Sequence, residues 1–309
     1  MSTTRGQKLL QLIDTRQQND ANLAKFDRSK WYQVDLDRLP SKELCSKFHQ
    51  LTFDSATEQF LDDSTAVADS VCLQLWYSVA SAILSVVLTK TSINGILNRG
   101  QMFIFSSDHL NEFLQPVLIQ YQTKYGSNRG DSNERTALLD LGAGDGEVTA
   151  MLAPMFGDGR VYVTEPSIPM QYRLRQREYS IVEIDKWATD QSILRQCRLI
   201  SCLNLLDRHP KPYHLLSELH RVALEHRIPV LLAFVLPFSQ FSEFSKGLDE
   251  SLAVLGPDFE HQVTDIVERV LEPAGFQVIK WTKLPYLCQG DATQAYYWLN
   301  DAVLLLDAV

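Results

Sequence analysis

The chain has 309 residues, of which 45% are hydrophobic and 22% charged, and its formal net charge is −9. That composition is ordinary for a globular protein of one large or two smaller domains. It excludes a low-complexity or collagen-like chain, and an acidic balance without a basic run gives no support to nucleic-acid binding through phosphate neutralisation.

Residues 1 to about 120 read as mostly helical. The N-terminus, Met1-Ser-Thr-Thr-Arg-Gly-Gln-Lys-Leu-Leu10, has no apolar signal core, so a cytoplasmic, intracellular protein is expected. Leu9, Leu10, Leu12 and Ile13 begin an amphipathic pattern. Asp63 and Ser64 precede an apolar-periodic run from Ala66 to Leu88 without Pro or Gly. Its most apolar part, Leu73–Leu88, carries Gln74, Ser78, Ser81 and Ser85 and falls short of the ~20 residues a bilayer span needs. It is expected to be a buried helix, with no stable membrane insertion. A polar stretch, Lys124–Arg135, reads as a linker.

After it the texture changes to alternating strands and helices. The pattern predicts strands over 137–141, 160–164, 180–183, 199–203 and 230–236, the last stopped by Pro237. Helices are predicted over 147–155, 170–177, 212–226 and 258–271, and strands over 276–284 and 296–306 close the chain. Such alternation implies a mostly parallel sheet with helices on both faces, and two final strands in succession imply a terminal hairpin as an antiparallel edge. The expected division is a helical cap over 1–125, packed on a Rossmann-like domain over 126–309.

The strongest chemical signal is Leu138-Leu-Asp140-Leu-Gly142-Ala-Gly144-Asp-Gly146-Glu147, a strand running through a glycine turn into a helix. Glycines there allow a ligand close to the backbone, and the helix start offers free N–H groups. Asp140, Asp145 and Glu147 crowd the turn. Three carboxylates would repel a pyrophosphate and suit a positively charged ligand such as S-adenosylmethionine. Glu165 follows 25 residues after Asp140 at the end of the next strand, where an acid accepts hydrogen bonds from ribose hydroxyls. Ser201-Cys-Leu-Asn204-Leu-Leu-Asp207-Arg208 lies at the end of the fourth strand, where open α/β sheets place ligands. A polar turn capping the following helix is the blander reading of that segment. Candidate cofactor contacts are Arg99, Asp140, Gly142, Gly144, Glu165, Asp185 and Asn204, with Arg99 in the cap paired to the cofactor carboxylate. His209, His214, His220 and His226 lack metal-ligand spacing, so no metal is expected. The five cysteines form no Cys-x-x-Cys pair and fit reduced thiols.

The sequence resembles the DREV-type methyltransferases, which are protein-histidine N-pros-methyltransferases. The resemblance is carried by Thr91-Ser-Ile-Asn-Gly95, Arg99-Gly-Gln-Met-Phe103, Leu138–Thr149, Ser201–Arg208, Val235-Leu-Pro-Phe238, Leu284-Pro-Tyr-Leu-Cys288 and Asp301-Ala-Val303. It implies an α/β, class I Rossmann-like, S-adenosylmethionine-dependent methyltransferase with an N-terminal helical cap. It also implies protein substrates with a His-x-His motif, methylation at Nδ1, and a target imidazole surrounded by Asn204, Asp207 and Tyr297. Endomembrane or mitochondrial association would follow from the family rather than from the sequence. Pro166, Pro169 and the stretch from Phe238 to Gly256 depart from the family pattern.

A neutral imidazole needs no strong base, only a choice of nitrogen. Asp207 accepting Nε2–H would leave Nδ1 free to attack and would stabilise the cation that forms. Asn204 would orient the ring and Tyr297 close the pocket. No two of the seven histidines are two residues apart, so the expected activity is in trans, by a monomer. A methyltransferase of a small imidazole compound or another side chain, and a silent cofactor-binding module, stay open at this point.

Overall fold

The computed structural model describes residues 5–85, 90–126, 136–240, 250–252 and 254–309. The N-terminal part contains α1 (Arg5–Lys25), α2 (Lys42–Lys47), α3 (Ser55–Asp69), α4 (Val71–Leu84), α5 (Lys90–Leu97), the short strand β1 (Met102–Phe103), α6 (Ser107–Phe113) and α7 (Gln115–Gly126). Then come β2 (Ala137–Leu141), α8 (Glu147–Leu152), β3 (Val161–Thr164), α9 (Ile168–Gln176), β4 (Ser180–Ile181), α10 (Gln191–Leu194), β5 (Cys197–Leu203), α11 (Pro212–His226) and β6 (Val230–Leu236). The chain closes with α12 (Phe259–Asp265), continued by a π-helical stretch Ile266–Leu271, and the strands β7 (Phe276–Asp291) and β8 (Gln294–Ala308).

Among the described residues, eight strands form one sheet in the order β1-β7-β8-β6-β5-β2-β3-β4. β4, β3, β2, β5 and β6 run parallel, and β8 enters antiparallel between β6 and β7. This is the class I Rossmann-like arrangement. The expected terminal hairpin is present but is not the edge of the sheet, because β1 pairs beyond it, Met102 with Cys288 and Phe103 with Leu287. Both strands of the hairpin also run longer than their apolar cores, since cross-strand bonding continues through Gln289 and Tyr296 to the turn.

The two faces of the sheet build two cores, as period-2 alternation requires. Leu139, Leu141, Ile200, Leu232, Phe234 and Leu304 pack with α11, α12 and the buried Trp281. Leu138, Leu199, Leu231, Val303 and Leu305 pack instead with Trp31, Phe103, Phe105, Leu110, Leu114 and Leu118 from the N-terminal part. That part therefore supplies one whole layer over the sheet, and with β1 it also supplies a strand.

Three expectations are corrected. The run from Ala66 to Leu88 is not one helix: α3 starts earlier, where Asp54 accepts from Thr57 N, and the chain bends by 76° between α3 and α4 at Ser70. Nor is the run after Leu73 buried. Val71, Leu75, Trp76, Val79 and Ile83 of α4 are 56–70% exposed, because apolar composition alone does not say which face finds a partner. Its end, 86–89, lies outside the described residues. Lys124-Tyr-Gly126 belongs to α7 rather than to a linker, whose remainder (127–135) lies outside the described residues. No single helix among the described residues is long and apolar enough to cross a membrane.

Candidate active site

The glycine turn after β2 is held from below. Gly142 N donates to the Thr164 carbonyl at 3.0 Å and to Thr164 Oγ1 at 3.1 Å, and Ala143 N donates to the same carbonyl. Gly142, Gly144 and Gly146 all have positive φ, where other residues are strained. The three differ in surroundings. A Cβ on Gly142 would lie 2.9 Å from Leu205 Cδ1, and one on Gly146 would lie 2.8 Å from Leu174, whereas a Cβ on Gly144 would meet nothing within 4 Å. Gly144 therefore faces open space at the C-terminal edge of the sheet.

The acids of the turn are more occupied than their sequence suggests. Asp140 is buried, accepting from Ser201 Oγ at 2.6 Å and Thr149 Oγ1 at 2.5 Å. It ties β2 to β5 and to α8 from beneath the turn. Glu147 is paired with Arg177, and Asp145 Oδ1 accepts from Glu147 N at 3.1 Å. Glu165 is buried and bridges the site: Oε2 accepts from Gly144 N at 3.1 Å and Oε1 from Ser167 N at 2.8 Å. A carboxylate oxygen can accept more than one hydrogen bond, which is the chemistry a ribose hydroxyl would use. Pro169 sits in the first turn of α9, where a missing N–H costs nothing. Asp185 is exposed in the turn after β4.

The N-terminal layer reaches this edge through α5. Gly95 packs on Met170 of α9, where a Cβ would come within 2.7 Å of the sulfur. Arg173 donates to the Gly95 carbonyl and to Asn98 Oδ1. Arg99 lies over the Tyr77 ring and donates to Ser81 Oγ at 3.1 Å.

β5 ends at Asn204. Its φ is +52°, a region Asn tolerates better than most residues, and its N–H donates to the Ala233 carbonyl at 3.1 Å. Leu205–Arg208 then forms a turn, with Arg208 N on the Leu205 carbonyl. Neither polar residue caps α11, whose N-cap is Lys211 and which has no side-chain capping bond, so the capping role is excluded. Instead Asn204 and Asp207 are both buried, and Asn204 Oδ1 and Asp207 Oδ1 have no hydrogen-bond partner among the described residues. Buried acceptors are normally satisfied, so two orphans at one turn mark a place built for a ligand's N–H or O–H. Burial pushes the Asp207 carboxyl up to about 6, with Arg208 pulling the other way.

Asp301 is the residue the sequence reading left out of the site. It lies on β8 opposite Val235 of β6 and Leu284 of β7, is fully buried, and accepts from Asn204 Nδ2 at 2.9 Å. Three segments of the sequence pattern (Val235–Phe238, Leu284–Cys288 and Asp301–Val303) thus meet at Asp301, whose cross-strand partners are Val235 and Leu284. Arg99–Phe103 joins them through Gly100 N on Gln289 Oε1 and Gln289 N on the Gln101 carbonyl.

Tyr297 stands apart from the Asn204–Asp207 turn. It points to the same side of β8 as Asp301 but four residues along, roughly 13 Å away at strand rise. Its hydroxyl is engaged with Thr293 Oγ1 at 3.0 Å and Asp291 Oδ1 at 3.2 Å. It is 40% exposed while Tyr296 is buried, which matches the alternation in the sequence. Burial works against ionisation of Asp291, but bonds from Thr293 and Tyr297, with Arg99 nearby, hold its carboxyl below the usual range. Among the described residues no group of His, Cys, Asp and Glu is arranged to hold a metal ion.

The profile of the DREV methyltransferases matches residues 31–308. The chain belongs to that family. As a DREV methyltransferase it transfers a methyl group, and the open space at Gly144 beside the Glu165 carboxylate offers room for the donor. The chain is also similar to solved structures. An S-adenosylmethionine-dependent methyltransferase from Aquifex aeolicus is 17% identical, with 64% of this chain and 92% of that one covered and a TM-score of 0.36. The N-terminal domain of EvdMO1 with S-adenosylhomocysteine bound is 17% identical over 65% and 85%, with a TM-score of 0.34. A putative RNA methyltransferase from Pyrococcus horikoshii is 11% identical over 62% and 83%, with a TM-score of 0.36.

Two predictions arise from this geometry. Gly144→Ala places a methyl group in the open space without meeting the protein, at a backbone cost of ~1–2 kcal/mol for the left-handed conformation. S-adenosylhomocysteine affinity, measured by calorimetry, is expected to fall at least about tenfold while the fold persists; an unchanged Kd would remove the turn from the cofactor site. Gly142 is a poorer probe, because Leu205 obstructs any side chain there.

The second concerns stability. Burial raises Asp140 and Asp207 to about 6 and Asp301 to about 8. Between the unfolded value and these, the folded state holds more protons than the unfolded one. Each group therefore costs stability as pH rises, by ~1.4 kcal/mol per unit until its folded value is passed. Asp301→Asn is accordingly expected to raise the melting temperature at pH 8 relative to wild type and to change it little at pH 4.5. Equal shifts at both values would mean that the Asp301 carboxyl is not perturbed by burial.

Proposed function

We propose that this enzyme methylates histidine in protein substrates, at Nδ1 of a ring within a His-x-His motif. The observation that supports this reading is the pair of unpartnered buried oxygens, Asn204 Oδ1 and Asp207 Oδ1, at the end of β5. Two acceptors suit a target that presents N–H and gains positive charge as it reacts.

S-adenosylmethionine supplies an electrophilic methyl group on sulfur. The protein's part is to bring a nitrogen lone pair to it and hold the ring still. Asp207 accepting the Nε2–H fixes the tautomer with Nδ1 unprotonated. As Nδ1 is alkylated the ring becomes an imidazolium, and the Asp207 charge stabilises it in a site with little water to screen it. Asn204 Oδ1 offers the second acceptor, to the ring or to a neighbouring N–H of the peptide. Tyr297, with Asp291 and Thr293, forms a polar patch farther along the same side of β8, where flanking peptide can lie.

Mass spectrometry of peptides incubated with enzyme and S-adenosylmethionine tests the reading. A His-x-His peptide with a small central residue is expected to gain 1-methyl mass on a histidine, and fragment ions of the ring to report Nδ1. Methylation of a free imidazole compound but of no peptide would replace the protein substrate with a small one. The enzyme's own chain, lacking His-x-His, is expected to stay unmodified.

A further inference from the structure

Asp301 sits in the middle of the sheet with strands on both sides and is fully buried. A carboxyl group in such a place is costly unless its oxygens are used. One is used: Oδ2 accepts from Asn204 Nδ2. The other, Oδ1, has no partner among the described residues. An apolar residue would pack there at lower cost, as Val303 and Leu305 do two and four places along the same side of the strand.

We propose that Asp301 is a positioning residue for methyl transfer: it holds the Asn204 amide with its nitrogen turned inward, so that the amide oxygen faces the target. The inference rests on the histidine reading above and adds to it the residue that decides what the pocket presents.

An amide group has two ends of nearly equal size, one donating and one accepting. Its terminal torsion is a broad two-fold rotor with no strong preference of its own. The backbone at Asn204 is fixed by its left-handed conformation and by its N–H on Ala233, which sets the direction of the Cβ but not the sense of the amide. The sense is set by whatever lies at the inner end. A carboxylate only accepts, so it selects Nδ2. A protonated Asp301 can also donate, so the selection is complete in the carboxylate and holds in the acid only with its proton on Oδ1, away from the amide. The outcome is the unpartnered Asn204 Oδ1 already described. A pocket with the reverse sense would offer a donor beside Asp207 and would repel a ring N–H.

The charged and titratable groups around Asp301 are Asp207 and Arg208 from the turn after β5, and Cys288 and Tyr286 from β7. Among the described residues, Asp301 alone is hydrogen-bonded to the Asn204 amide.

The test is a swap. In Asp301→Asn the new amide can offer either end, so the sense of Asn204 is no longer selected. In the double variant Asn204→Asp with Asp301→Asn, the inner partner donates and residue 204 keeps an oxygen facing outward. The single variant is expected to lose about tenfold in kcat, the worth of one well-made hydrogen bond, to leave KM and S-adenosylhomocysteine affinity within about twofold, and to yield some Nε2-methylhistidine. The double variant is expected to recover most of the rate and the single product. A single variant with wild-type kcat and one product, or a swap no better than the single change, overturns the proposal. A substrate-independent readout separates this from the histidine reading: the side-chain amide protons of Asn204, followed by nitrogen-15 spectroscopy and assigned by their loss in Asn204→Asp. Slow solvent exchange in wild type and fast exchange in Asp301→Asn support the inference even if no histidine peptide is turned over or the swap fails to fold. Fast exchange in wild type overturns it.

Discussion

Asp207→Asn is expected to lower kcat on a His-x-His peptide by roughly a hundred- to a thousandfold, with S-adenosylhomocysteine affinity nearly unchanged. The substitution keeps the shape of the side chain, and the amide oxygen can still accept from Nε2–H, so positioning survives in part. What is lost is the negative charge beside a ring that becomes cationic. Removing one preorganised electrostatic contact costs ~2.7–4 kcal/mol in the transition state, which is the stated loss in rate. The residues proposed for the cofactor lie elsewhere, in the turn at Gly144 and at Glu165. The same residue shapes the pH profile. Burial lifts Asp207 to about 6, so its carboxylate is lost as pH falls through that value. The substrate imidazole, with an unperturbed pKa of ~6.5, is protonated over the same range. Both events remove activity, so kcat/KM in wild type is expected to fall with a slope approaching two below about pH 6, and Asp207→Asn to leave a slope of one. Single-turnover rates across pH 5–8 measure both effects. A near-wild-type rate for Asp207→Asn at pH 7.5 would take its charge out of the mechanism.

The parts of this molecule that are legible in its sequence are those where a local rule and the tertiary environment agree. β2 and β6 are short apolar runs with turn residues at both ends, buried on both faces, and they occur where the pattern puts them. α11 begins at Pro212 and ends before the left-handed Arg227, as its apolar spacing requires. The glycine turn is legible because its backbone needs positive φ. Other features are not local. Asp301 reads as one polar residue in a strand, and its meaning comes from Asn204, 97 positions away. The acids of the turn read as a free negative cluster, yet Asp140 is spent on Ser201 and Thr149 and Glu147 on Arg177. α4 reads as core because it is apolar, but burial depends on a neighbour, and its Val71–Ile83 face has none among the described residues. The short β1 carries only two residues, too few for any alternation to show, and is made a strand by Leu287 and Cys288.

How much of the N-terminal part the enzyme requires can be decided by two truncations. A fragment beginning at Ser127 is expected neither to fold nor to bind S-adenosylhomocysteine. It would strip the layer formed by Phe103, Phe105, Leu110, Leu114 and Leu118 from the sheet face of Leu138, Leu199, Leu231, Val303 and Leu305, each at most 1% exposed in the intact chain. Burying one such side chain contributes ~1.5–3 kcal/mol, so uncovering these five costs on the order of 7–15 kcal/mol. The whole stability of a domain is only ~5–15 kcal/mol, so nothing is left. The fragment also loses β1, which pairs with β7, and α5, which packs on α9 just after Glu165. A fragment beginning at Arg28 differs in kind. It removes α1, whose described side-chain bonds reach the hairpin turn: Arg16 to the Asp291 carbonyl, Asn19 to the Thr293 carbonyl and Asp20 from Ala295 N. With Arg16 on Asp69 these are four polar contacts near the surface, each with a net worth of ~0.5–1.5 kcal/mol; Leu23 and Phe26, which pack at the margin of the core beside Trp31 and Trp298, are lost as well, while the sheet face stays covered. This fragment is expected to fold and bind the cofactor product, with a lower melting temperature and a looser setting of Tyr297, whose hydroxyl depends on Asp291 and Thr293. Circular dichroism and calorimetry on the two fragments give the comparison. Cofactor binding by the Ser127 fragment would show that the sheet stands without its N-terminal layer, and an unfolded Arg28 fragment would move the start of the obligatory fold into α1.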